Sequence, residues 1–288
     1  MATAEVIAAP AEIAERRTFR HRWYRTPTFV AGLLILGTIA VLVAFAPLIT
    51  SWDPVEQDLL NILQPPSSEH LLGTDHLGRD IWARLLYGGR IDLQVGFLAV
   101  LISFVIGTVL GAIAGYRGGW LDTVIMRIVD VFVAFPFFVL VIALVFVLGA
   151  GTRSMYIAIA FVGWVSYARI VRGEILVAKE QEYVLAARAA GFSDRRIVSR
   201  HIFPNVITQS VVFAMSDIVL SILAIVTLGY VGIGVPPPTP DWGSMIFEGQ
   251  TFLTTNWQLS TFPGIAVVIT GLGLSLVGDG LADLLKPE

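Results

Sequence analysis

A chain of 288 residues that is 56% hydrophobic and only 14% charged, with a mean hydropathy of +0.77, belongs in a bilayer; an ordinary soluble domain carries about 25% charged residues. The formal net charge of −3 gives no basic footprint for nucleic acid. The absence of cysteine excludes disulfides, thiolate nucleophiles and cysteine metal sites.

Residues 1–28 form a polar tail with arginines at 16, 17, 20, 22 and 25. The tail leads into an apolar run at 29–49 that is long enough to cross the hydrocarbon core and has no A-x-A-like cleavage site. A polar connector at 50–92 follows, with prolines at 54, 65 and 66. Further spans are expected at 93–116, at 123–148 (interrupted by Pro136), and at 155–171. After a charged loop at 172–205, the fifth span is expected at 207–233. A second connector at 234–260 contains PPPTPDWG, the sixth span is expected at 262–284, and a tail of 285–288 ends the chain. The fold expected is all-α, a polytopic membrane protein with six transmembrane helices.

Positive-inside bias sets the orientation. With both termini cytoplasmic, every Lys and Arg except Arg79, Arg84, Arg90 and Arg153 falls on or beside the inner face. The two connectors are then external, and Trp52, Trp82, Trp242 and Trp257 read as interfacial anchors.

Gly107, Gly111 and Gly115 recur every four residues and form one small face for close helix packing. Gly271, Gly273 and Gly278 read similarly with less regular spacing. Carboxylates in or near spans must face protein or water. Asp92, Asp130 and Asp279 lie near expected span ends, where solvation or capping suits them. Asp217 lies deeper, and two readings stay open: it lines a translocation path, or it pairs with a neighbour.

Several chemistries have no support. The two lysines, Lys179 and Lys286, do not follow a glycine, so no Walker A loop is present. The chain also has no H-E-x-x-H and no G-x-S-x-G. The Asp75–Asp80 run with His70 and His76 has no specific ligand spacing, so no metal site is expected.

The segment 182–205, EYVLAARAAGFSDRRIVSRHIFPN, is set apart by its charge between two apolar runs. Ala, Leu and Arg at 184–190 favour a helix, and Gly191 supplies the residue able to take φ > 0 where it stops. Ser193 is placed to cap a second helix, with Asp194 in its first turn and Pro204 ending it. Glu182, Arg188, Arg195 and Arg196 offer polar contacts, while Ala186 and Ala187 give a low profile that suits insertion into a groove. A solvated loop helix with no partner is the other reading of the same residues.

This segment resembles the cytoplasmic EAA loop of ABC importer permeases, E-A-A-x3-G-x9-I-x-L-P. Ala186, Ala187, Gly191 and Pro204 stand at the matching spacing; Leu185, His201 and Phe203 depart from it, and Glu182 stands three residues before the expected acid. Five further blocks resemble permeases of the dipeptide/oligopeptide/nickel ABC importer family, in order along the chain. They are GTDHLGRDIWARLLYGGRIDLQVG at 73–96, AGYRGGWLDTVIMRIVDVFVAFP at 114–136, YARIVRGEIL at 167–176, GVPPPTPDWGSMI at 234–246 and LSLVGDGLADLLKP at 274–287. The N-terminal tail and first connector resemble the C-type member of the permease pair.

The resemblance implies a type I ABC importer permease fold in a bacterial inner membrane. Its implied partners are a second homologous permease, two ATPase subunits and an extracytoplasmic solute-binding protein. ATP and Mg would be used by those ATPases, with no cofactor on this chain. The loop would couple ATPase motion to the spans, through Glu182, Ala186, Ala187, Arg188, Gly191, Asp194, Arg195, Arg196 and Pro204. The residues alone also allow an ion-coupled secondary transporter, although no internal repeat is evident.

Overall fold

The structure, a computed structural model, describes residues 26–285. The arginine-rich tail before Thr26 and the tail from Lys286 onward lie outside the described residues. The described chain is helical apart from its connectors, and an isolated bridge between Thr74 and Asp80 is the one strand-type pairing there.

The helices in order are α1 (Pro27–Ala44), α2 (Ala46–Ile49), α3 (Ile81–Arg117), α4 (Gly119–Val133), α5 (Phe137–Leu148) and α6 (Thr152–Ala178). Then come α7 (Glu182–Ala189), α8 (Asp194–Ile197), a π-helical turn (Val198–Ile202), α9 (Phe203–Tyr230), α10 (Trp242–Gln250) and α11 (Gln258–Leu285). Among the described residues, five helical runs are long and apolar enough to cross a membrane: α1, α3, α6, α8 through α9, and α11.

Two expectations need correction, and the interruption expected at Pro136 is present. The third span is two helices, α4 and α5, meeting at 89°, so six crossings require this pair to count as one. Pro136 is the cause: it stands in extended backbone at the N-cap of α5 and cannot continue α4. The second span begins at Ile81, so residues 81–92 of the expected connector are helical, with Asp80 as N-cap through its 2.7 Å bond from the Ala83 N–H. Pro204 does not end a helix but sits in the first turn of α9, where a missing N–H costs nothing. The π turn just before it, in which Phe203 N–H reaches Val198 O, makes room for the ring and keeps the run unbroken from Asp194 to Tyr230.

The bundle is built on α3 lying along α6. A Cβ on Gly107 would strike Trp164 O; on Gly111 it would lie 2.5 Å from Ala168 O, and on Gly115 3.0 Å from Arg172 O. Each four-residue step along α3 meets a four-residue step along α6, so the two backbones touch. In lipid, such close approach rather than water expulsion holds helices together. On α11, Gly273 packs on Ile35 and Leu36 of α1 and Gly278 on Met215 of α9, whereas Gly271 has only a 3.6 Å contact to Val219.

One end of the bundle bears the 179–193 loop, and the other bears the 50–80 and 231–257 connectors. At the connector end a buried charge network ties the two connectors together. Arg79 Nε donates to Asp75 Oδ2 (2.7 Å), and Arg79 and Arg84 both donate to Glu248 Oε2 (2.7 and 2.9 Å). Arg79, Arg84 and Asp75 are almost fully buried. Removing one member of such a set leaves an uncompensated buried charge, which costs about 3–5 kcal/mol. Glu248→Ala is accordingly expected to lower the unfolding temperature of the purified chain far more than Glu56→Ala, an exposed acid on the first connector.

Two other expectations fail at this end. Asp92 is neither solvated nor a cap: it is fully buried three turns into α3 and accepts the Trp242 N–H at 2.9 Å. Trp242 is no interfacial anchor, being 2% exposed with its indole N–H donated to Leu85 O. Asp241 caps α10 through a capping box with Ser244. Burial pushes its carboxyl above the ordinary range, and the Ser244 bonds pull it back only in part. Asp130 and Asp279 are solvent-exposed, as expected.

Candidate functional site

The 182–204 segment folds as two short helices bedded on the bundle. In α7 the residues Val184 and Ala187, one turn apart, face inward and join Val171, Ile175 and Ala178 of α6. Ile197, Ile202 and Val206 complete this cluster from the second piece of the loop and the start of α9. Glu182 sits in the first turn of α7 and Arg188 in the last, both favourable to the helix dipole.

The corner is a complete Schellman motif. Gly191 takes φ +76°, its N–H bonds Arg188 O (3.0 Å), and the Phe192 N–H reaches back to Ala187 O (3.2 Å). Gly191 has nothing within 4 Å of where a Cβ would stand, so its backbone angle, not crowding, requires glycine. Ser193 occupies the N-cap position of α8, but its hydroxyl makes no cap bond.

Two polar contacts fasten the second piece. Asp194 Oδ1 accepts the Tyr116 hydroxyl at 2.5 Å, tying the loop to the end of α3. Arg196 lies 4.1 Å over the Phe192 ring. Beneath the loop, Asp122 of α4 accepts both arms of Arg172 on α6, one at 2.7 Å. Tyr116, Asp122 and Arg172 escaped the sequence reading because their partnerships span 50 to 78 residues.

The sequence-predicted residues therefore divide. Glu182, Ala186, Arg188, Asp194, Arg195, Arg196 and Pro204 are exposed, Gly191 forms the corner, and Ala187 is buried against α6. Tyr183 and Leu185, 41% and 46% exposed, add apolar surface beside Ala186 that the pattern did not single out. Asp217 is elsewhere, buried between α6 and α9 and holding the Tyr167 hydroxyl at 2.9 Å.

Asp75, His76 and Glu248 bring ligand-type atoms within 4.8 Å of one another. Arg79 and Arg84 already neutralise both carboxylates there, so a cation gains little field. Asp80 is likewise committed, to the α3 cap and to His70 Nδ1 at 2.9 Å.

Known proteins match along the whole chain. The profile of the binding-protein-dependent transport system inner membrane component family matches residues 107–288, and that of the N-terminal TM domain of oligopeptide transport permease C matches 16–66. The dipeptide transport system permease protein DppC of Alkalihalophilus pseudofirmus is 40% identical over 259 residues, 90% of this chain and 85% of its own. The glutathione transport system permease protein GsiD of Pectobacterium atrosepticum is 40% identical over 292 residues, covering 100% and 96%. The oligopeptide transport system permease protein OppC of Bacillus subtilis is 40% identical over 260 residues, covering 90% and 85%. In fold, 71% of the chain superposes on 97% of a chain of the inward-facing MetNI methionine ABC transporter, with TM-score 0.57 and 19% identity. With that helical architecture and a glycine-cornered loop bedded across its spans, the chain belongs to the binding-protein-dependent inner membrane components, as a C-type permease subunit of the dipeptide/oligopeptide/nickel ABC importers.

Proposed function

We propose that this chain pairs with a second, homologous permease to form the path of an ATP-driven peptide importer, and that its 182–197 loop is the docking surface for an ATPase subunit. The observation that carries this reading is the division of α7. Val184 and Ala187 bed it on the bundle, the opposite face offers Glu182, Leu185 and Ala186, and Tyr183 and Arg188 stand exposed at its flanks. An exposed Tyr and Leu in a loop outside the membrane spans fit a protein partner. The surface is continuous with α9 and bonded to α3 through Tyr116, so displacing it displaces two spans. Two ATPases and an extracytoplasmic binding protein complete the assembly, and ATP with Mg serves at the ATPases. Peptide cargo is supported by the names of the relatives, among them dipeptide, oligopeptide and glutathione permeases.

Affinity capture of the chain from its native membrane tests this. The expected companions are a second permease and ATPases with Walker A loops; recovery of the chain alone, still transporting, sinks the proposal. Leu185→Asp is expected to lower ATPase recovery about tenfold or more, the effect of losing an interface anchor, while the second permease stays bound.

The same reading places both termini and the loop in the cytoplasm and the two connectors outside. Because the chain has no cysteine, single introduced thiols report the side directly. Leu60→Cys, on a side chain 92% exposed in the first connector, should react with an impermeant maleimide in intact cells. Arg188→Cys should react only after permeabilisation; the reverse pattern inverts the topology.

A further inference from the structure

At the connector end, the first turns of α6, the outer part of α3 and residues 235–239 line an open cavity of about 570 Å³. Small-molecule sites span about 300–1,000 Å³. Its walls carry Gln94 from α3, Thr152 and Tyr156 from α6 and Thr239 from the connector, over a floor that includes Val95 and Val235. None of these four polar side chains has a hydrogen-bond partner among the described residues. No charged side chain lines the cavity.

Gln94 is the informative member. It is exposed on α3 one turn after the exposed Arg90 and just before the apolar exposed positions Phe97, Leu101, Ile102 and Val105, where the helix passes from polar to apolar surroundings. A primary amide turned to lipid has no partner for its donors and acceptor, whereas a wet cavity supplies them. Four neutral donor–acceptor groups around one uncharged space match the chemistry of peptide amides. They do not match a metal ion, which would lack a counter-charge; the ionised termini are common to every free peptide, so the lining discriminates by side-chain charge.

We propose that this cavity is this subunit's share of the outer vestibule of the path, where Gln94, Thr152, Tyr156 and Thr239 bind the backbone amides of passing peptide. The proposal rests on the peptide-importer reading above. In it, the uncharged lining selects at the translocation step, apart from any selection by the binding protein. A peptide with charged side chains loses hydration there without gaining a partner, so neutral peptides pass faster.

The test uses the complete transporter in proteoliposomes, with Ala-Ala, Lys-Ala and Glu-Ala as probes. Gln94→Glu is expected to raise the Lys-Ala to Glu-Ala ratio of kcat about tenfold over wild type, with KM unchanged, as one added charge at close range in a partly hydrated site would do. Thr239→Glu repeats the test from an exposed connector position that tolerates charge, and Tyr156→Phe should slow all three peptides severalfold without altering their order. With wild-type uptake established, an unchanged ratio in both acidic variants overturns the vestibule. Release of the second permease by either acidic variant also overturns it, since the cavity wall would then be a subunit interface. A wild-type complex that hydrolyses ATP yet takes up no peptide overturns the cargo reading itself.

Discussion

Replacing Gly191 by valine is expected to lower ATP-driven uptake by about 5–30-fold, with the chain still inserting and purifying with the second permease proposed above. Gly191 sits at φ +76° with open space around its absent Cβ, so the substitution meets no clash. What it meets is backbone strain, roughly 1–2 kcal/mol for an ordinary L-residue in left-handed backbone and more for a β-branched one. A cost of one or two kcal/mol changes a population ratio by about 5–30-fold. Here the population is that of the native corner, which orients the exposed face of α7 against α8. The series Gly191→Asn, Gly191→Ala, Gly191→Val should lose uptake in that order, because Asn tolerates left-handed backbone best of the three. Uptake is read per molecule of chain in the membrane. Full uptake by the valine variant would mean that the corner plays no part in coupling.

Gly111→Leu is expected to act at the opposite extreme and to prevent accumulation of folded protein. Its Cβ would lie 2.5 Å from Ala168 O and 2.9 Å from Ala168 Cα, all backbone, so no rotamer change relieves the contact. The helices α3 and α6 must separate along their shared face. The cost falls at or above the roughly 3 kcal/mol upper end of overpacking. Gly37→Leu on α1 is the control, since nothing lies within 4 Å of its Cβ position. Size-exclusion profiles of the solubilised variants should show a folded peak for Gly37→Leu and aggregate for Gly111→Leu. Two equal folded peaks would overturn the account of the α3–α6 contact.

These two glycines mark how far the sequence could be read. The corner at Gly191 is local: helix formers, one glycine and the following capping region are adjacent, and the bonds that close it span five residues or fewer. The glycine face on α3 was legible as a period of four, because one helix turn sets that spacing whatever the partner. Which helix it meets was not legible, since Trp164, Ala168 and Arg172 lie 57 residues along the chain from their glycines. Pro204 shows the limit of local rules. Proline stops a helix from the inside and starts one from its first turn, and only the π turn before it decides which.

The same division runs through the polar residues. Asp92 read as a span-end carboxylate because hydropathy sees only neighbours in sequence, while its partner, the Trp242 N–H, is 150 residues away. Nothing local in the sequence pairs Arg79 and Arg84 with Glu248, 164 and more residues away; folding does so by bringing α10 against the start of α3. Likewise the EAA-type pattern marked Ala186 and Ala187 alike, and the bedding of α7 on α6 turned one outward and the other in.

The sequence by itself determined that this protein lives in a bilayer, roughly where its spans run, where its charged loop turns and to which family it belongs. Those properties are carried by composition, local backbone preference and short patterns, which need no knowledge of distant residues. The tertiary structure alone decided the 89° angle at the Pro136 interruption, the pairing of α3 with α6, the buried charges at the connector end and the exposed face of α7. Each of these depends on which side chain packs against which across long stretches of chain, and burial is a property of that contact rather than of the residue.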